Sequence, residues 1–168
     1  SCFEYEESLR KTATMSEDDL WYLRKLHFLV DSSWNNELYK PLFVCGKEYN
    51  INPLDVLEYV LEKTIVEDCK IIEFFQEFDK LSQEEWFDSE ADIENYFADP
   101  KNFKRLLNQE FEKLNIMFTI ILLKYYKEVF DQAILQAFRH LTRMPKNILE
   151  NAARYTFAQF PALNNMTS

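Results

Sequence analysis

Apolar residues recur at helical spacing along most of the chain. Leu20, Leu23, Leu26, His27, Val30 and Trp34 share one helix face, and Trp21 and Phe28 widen the apolar arc beyond one stripe. Ser16 can cap free amides while Glu17, Asp18 and Asp19 oppose the positive helix end, so the pattern predicts a helix over 16–34, ended by Asn35 and Asn36. A second stripe, Leu54, Leu57, Leu61, Ile65, Ile72 and Phe75, follows the Asn52-Pro53 start. It predicts a helix over 53–78, with Asp68 on the stripe as a place for a break or kink. The third stripe follows Asp99-Pro100 and runs through Phe103, Leu107, Phe111, Leu114, Phe118, Ile121, Tyr125 and Val129, which predicts a helix over 100–143 in one or two pieces. Pro145 then opens a last helix over 146–159.

The intervals carry weaker signals. Residues 37–50 place Pro41 and Gly46 among Tyr39, Leu42, Phe43 and Val44, the composition of a packed loop or a short helical turn. Ser82 with Glu85, and Ser89 with Asp92, read as two box-like starts of short helices over 82–98. Residues 116–126 are apolar on nearly every side, the pattern of a helix enclosed by others at the centre of a bundle.

These elements predict an all-α helical bundle with a short extended N-terminal segment. Phe3, Tyr5 and Leu9 alternate over a lead-in of residues 1–15, the bundle occupies 16–160, and 161–168 reads as a disordered tail. Ser1-Cys2-Phe3 reads as the middle of a gene product, so the lead-in is expected to come from a missing upstream domain. A single glycine, Gly46, excludes hairpin-rich β folds and phosphate-cradling glycine loops together. No internal repeat is present, and no sustained heptad argues for a coiled coil.

Composition narrows the function classes. Aromatics make up 16% of the chain, with 15 Phe and 9 Tyr, enough to offset chain entropy by burial. The formal charge of −10 repels phosphate backbones and anionic lipid, so neither nucleic acid nor membrane is an expected partner. The longest apolar run, Ile116 to Leu123, is far short of the roughly 20 residues that span a bilayer. Cys2, Cys45 and Cys69 are odd in number and widely spaced, unlike a disulfide framework or a metal site, which makes a reducing cytoplasm the simplest setting.

Candidate chemistry is sparse. Neither His27 nor His140 follows a Glu at the spacing that di-iron bundles and zinc proteases use. His27 reads as a core or interface residue, and His140, between Arg139 and Arg143, as a cation favoured by a helix end. The paired acids Glu6-Glu7, Glu17-Asp18-Asp19 and Glu84-Glu85 read as solvated faces and caps. No catalytic, cofactor-binding or metal-ligating residue is therefore expected. The cluster Trp21, His27, Phe28, Trp34 and Tyr39 puts more bulk on the first helix and its following loop than one face can hide. His27, Trp34 and Tyr39 are accordingly the interface candidates.

Three stretches bear a family likeness: Thr12-Ala13-Thr14-Met15-Ser16-Glu17-Asp18-Asp19, then Leu26-His27-Phe28-Leu29-Val30-Asp31 with Trp34-Asn35, then Tyr39-Lys40-Pro41-Leu42. Together they resemble the helical C-terminal region of cobalamin-binding-domain radical SAM proteins, in which an extended segment leaves the catalytic barrel through a Thr-x-x-Met-Ser-like turn. The resemblance covers about the first quarter of the chain. It implies a parent enzyme holding a 4Fe–4S cluster on a Cys-x3-Cys-x2-Cys motif, S-adenosylmethionine and, in an upstream domain, cobalamin. None of those motifs occurs here, so no functional residue carries over. The expected role is an accessory domain that packs on the upstream barrel and helps close its substrate site, and the alternative is a free-standing acidic helical interaction module.

Overall fold

A computed structural model describes residues 12–64, 69–108 and 113–162, the side chains of 63, 64 and 69 excepted. Residues 1–11 of the expected lead-in, the break at Asp68 and residues 163–168 of the expected tail lie outside them. Among the described residues the regular structure is wholly helical, with no strand. The helices are α1 (Glu17–Val30), α2 (Lys40–Lys47), α3 (Pro53–Tyr59), α4 (Cys69–Glu84), α5 (Glu90–Ala98), α6 (Pro100–Leu107), α7 (Leu114–Ile121), α8 (Lys127–Leu141) and α9 (Lys146–Gln159). Three π-helical turns, Asp31–Asn35, Val60–Thr64 and Leu122–Tyr126, prolong α1, α3 and α7.

The sequence-written starts form as local chemistry dictates. Asp19 N–H donates to Ser16 Oγ (3.1 Å) and Ser16 N–H donates to Asp19 Oδ2 (2.8 Å), so two otherwise orphaned amides are satisfied. Leu54 N–H donates to Asn52 Oδ1, Asp92 N–H to Ser89 Oγ and Lys101 N–H to Asp99 Oδ1, each opening a helix. Ser82 is the exception: it lies inside α4, buried, and its hydroxyl accepts from Arg24 Nε at 3.0 Å rather than capping its own chain. Of the two short helices expected over 82–98, the first is replaced by the end of α4 and the second is α5.

Two aromatic groups build the core, and α8 runs through both. At one end Phe74 of α4 packs against Phe28 of α1 (5.6 Å between ring centres), Phe118 of α7 (5.3 Å) and Phe130 of α8 (5.0 Å). Farther along α8, Phe138 stacks on Phe43 of α2 at 5.9 Å, beside Gly46. Ion pairs fasten α1 along α4: Lys25 Nζ donates to Asp79 Oδ2 (2.8 Å), and Arg24 pairs with Glu85. Trp21 stacks on Trp86 at 4.6 Å.

The stripe over 100–143 takes the two-piece form of the expectation: Asn108 ends α6 near ψ 0°, Lys113 is extended at ψ 127°, and α7, its π turn and α8 run on from Leu114 to Leu141. Several other expectations need correction. Neither α5 nor α6 buries a residue, and Phe103 and Leu107 are exposed. On α1 the inward face is Leu26, Phe28 and Leu29, so Leu23 and His27 of the expected face point outward. Leu54 is likewise exposed, with Val56, Leu57 and Val60 inward in its place. Residues 116–126 are not enclosed. Leu114, Phe118 and Leu122 are buried while Ile116, Ile120 and Tyr125 are 50%, 48% and 60% exposed.

Candidate functional site

Along α8 the residues Lys127, Asp131, Ile134 and Phe138 occupy one inward face. A charged pair is thereby carried into the core, which costs several kcal/mol per ion unless each finds partners. The partners come from the two neighbouring helices. Wide turns supply the placement: the first π turn, in which Asn36 N–H reaches Asp31 O at 2.8 Å, leads to Tyr39, whose own N–H is held by Ser33 O at 3.0 Å. The third π turn ends immediately before Lys127.

Asp131 Oδ1 accepts from Tyr39 Oη at 3.0 Å and also from Lys127 Nζ. The Lys127 ammonium lies 5.4 Å from the centre of the Tyr39 ring and 5.2 Å from that of Phe157 on α9, within reach of both π faces. The two rings meet edge to face at 6.0 Å. Burial holds the Lys127 amine below its ordinary value against the opposing pull of Asp131, and it raises the Asp131 carboxyl despite the hydrogen bonds it accepts. Tyr39 is pushed well above its ordinary value, by burial first and by the Asp131 charge second.

A desolvated lysine beside a carboxylate and a phenol is the raw material of Schiff-base or proton-transfer chemistry. Access decides otherwise. Lys127 is 2% exposed and Tyr39 1%, and Phe157 closes the remaining side, so no substrate reaches the amine. In this packing the cluster ties α2, α8 and α9 together at a polar point in an apolar core. A Lys-x-x-x-Asp pair in register with Ile134 and Phe138 was the signal for it, and composition or motif searching passes it over.

The three interface candidates separate. Tyr39 is a core residue, and its hydroxyl is spent on Asp131, so it is not a surface contact. Trp34 is half-buried: it stacks on Phe43 at 6.4 Å, with Lys47 Nζ 5.4 Å and Lys40 Nζ 6.0 Å from its ring centre. His27 is exposed, with Nδ1 3.5 Å from the Asn115 amide nitrogen of α7, which also donates to Asp31 Oδ2 at 3.3 Å. The aromatic surplus of the first helix is therefore largely absorbed inside the domain, by Trp86, Phe74 and Phe43.

Elsewhere, His140 stacks on Tyr59 at 4.8 Å, and Cys45 is a half-buried free thiol. An open groove of about 490 Å³ at the α8–α9 corner is lined by Arg139, Thr142, Met144, Lys146 and Leu149. Glu150 sits 3.7 Å from Lys146 Nζ and 4.0 Å from Arg139, and offsets part of the positive charge of that rim. Among the described residues no group of three or more His, Cys, Asp and Glu side chains could hold a metal ion, and no helix is long and apolar enough to cross a membrane. The chain matches no protein-family model, no curated protein and no solved structure.

Proposed function

We propose that this chain is an accessory helical domain without catalysis of its own, which packs on another body of the same protein. One observation carries the reading: α7 and its π turn are apolar on nearly every side, yet only one side is covered. Ile116 and Ile120 face outward together, with Tyr125 exposed beyond them on the π turn, and Asn115 links α7 to His27 and Asp31. Burying the exposed half of each apolar side chain contributes on the order of 1 kcal/mol, so the stripe supplies a modest but real docking surface.

The likeness of residues 12–42 to radical SAM proteins favours a catalytic barrel as that body. On this reading the cluster and S-adenosylmethionine belong to the barrel and cobalamin to a further upstream domain, and the helical domain helps close the barrel's open end. Closure excludes water from a reactive radical and completes the substrate pocket. The sealed Lys127–Asp131–Tyr39 cluster fits the same role, since it stiffens the domain and offers no accessible chemistry.

The alternative, a free-standing acidic interaction module, uses the same stripe with a separate protein. Hydroxyl-radical footprinting separates them. In the parent enzyme Leu23, Ile116, Ile120 and Tyr125 are expected to label several-fold less than in the 168-residue chain alone. Equal labelling in both refutes docking within one protein, and protection that arises only on adding a second protein favours the alternative.

A further inference from the structure

The α7 stripe has a charge setting unlike the rest of the chain. Asp and Glu number 29 in all, yet none lies between Glu112 and Glu128 in sequence; Asp31, which the fold brings beside α7, accepts from Asn115 and Asn35, and the exposed Lys113 and Lys124 stand at the two ends of the stripe. Lys124 folds over Tyr125, with Nζ 5.1 Å from the ring centre, so its ammonium borders the apolar surface. From Ile116 to Tyr125 the stripe is about 13 Å long at 1.5 Å per residue, matching two to three turns of an opposing helix.

We propose that this stripe receives an amphipathic helix whose apolar ridge is flanked at both ends by carboxylates. The inference rests on the docking reading and names the chemistry of the docked element. An apolar ridge at i, i+4 and i+7 would lie over Ile116 and Ile120 with Tyr125 at its margin, and the terminal acids would meet Lys113 and Lys124. A second copy set stripe against stripe is disfavoured because it would bring Lys113 and Lys124 against lysines of the same kind. The stripe holds no Trp to anchor in a lipid surface.

The test uses two synthetic helical peptides with leucines at i, i+4 and i+7, one ending in glutamates and its twin in lysines. Their binding to the full chain is read by fluorescence anisotropy. The glutamate peptide is expected to bind about tenfold or more tightly than its twin, because two surface attractions become repulsions. That preference should shrink in high salt, reverse in Lys113→Glu with Lys124→Glu, and vanish with all binding in Ile120→Asp. Ile120 is half exposed, so the aspartate leaves the helix folded, as circular dichroism would verify. Equal affinity for the twins, lost in Ile120→Asp, overturns the acidic occupant while the docking face stands. Binding of neither peptide, or binding indifferent to Ile120→Asp, overturns the site itself. Stripe-dependent binding to vesicles containing phosphatidylserine, in place of the peptides, overturns the proposal in favour of a membrane.

Discussion

Replacing Lys127 with methionine tests how the buried cluster holds the domain. The thioether fills most of the lysine's volume between the Tyr39 and Phe157 rings, so packing changes little and charge changes most. Asp131 is then left in the core with only the Tyr39 hydroxyl as donor. Breaking a buried pair in this way costs about 3–5 kcal/mol. Asp131 reaches the edge of the core, with its side chain 12% exposed, which puts the expected loss near the lower end, about 3 kcal/mol at pH 7. In a domain of this size that lowers the melting temperature by roughly 6–12 °C. Acid should relieve it. The Asp131 carboxyl is already raised by burial, and a group raised in the folded state contributes stability at low pH that is lost as pH rises through its folded value. The penalty at pH 5 is therefore smaller than at pH 7. Lys127→Met combined with Asp131→Leu removes both charges and should recover most of the loss, since paired replacement by apolar groups is near neutral. Urea unfolding followed by circular dichroism measures four chains: the parent, Lys127→Met, Asp131→Leu and the double variant. A single variant within about 0.5 kcal/mol of the parent, or a double variant as unstable as the summed singles, refutes the cluster as a coupled anchor.

Three other outcomes are expected. Tyr39 stays protonated in the folded state above pH 10 while an unfolded tyrosine ionises, so the folded chain holds the extra proton and stability falls as pH rises there; ultraviolet titration should find one of the nine tyrosines silent until unfolding, and Tyr39→Phe should abolish that late step. Gly46→Ala places a Cβ 2.8 Å from Phe138 Cε1, a ring fixed against Phe43, and the overpacking of about 1–3 kcal/mol should exceed the roughly 1 kcal/mol gained in helix propensity; a thermal melt showing stabilisation would mean that the ring gives way. Thr156 Oγ1 is buried without a hydrogen-bond partner, so Thr156→Val should stabilise by about 1 kcal/mol in denaturant titration, and a loss of similar size would show that the hydroxyl is satisfied in solution.

What the sequence determined by itself was local. Helix class followed from 3.6-residue periodicity and near-absence of glycine, and the starts at Ser16, Asn52, Ser89 and Asp99 followed from side chains that reach amides two or three residues away. Each of those interactions closes within a turn, so adjacent residue types suffice to specify it. Sidedness was another matter. The first helix turns Leu26, Phe28 and Leu29 inward and leaves Leu23 out, because α4 and α7 present their phenylalanines on that side. Ser82 had the text of a cap, but a guanidinium 58 positions away claims its hydroxyl. The buried cluster joins Tyr39 to Asp131 across 92 positions, and no spacing rule spans that distance. The apolar helix over 114–121 showed the limit most plainly: hydrophobicity on every side states that every side can be buried, while only the arrangement of neighbouring helices decides which side is. Burial is a property of what stands opposite a residue, and that is settled by tertiary packing.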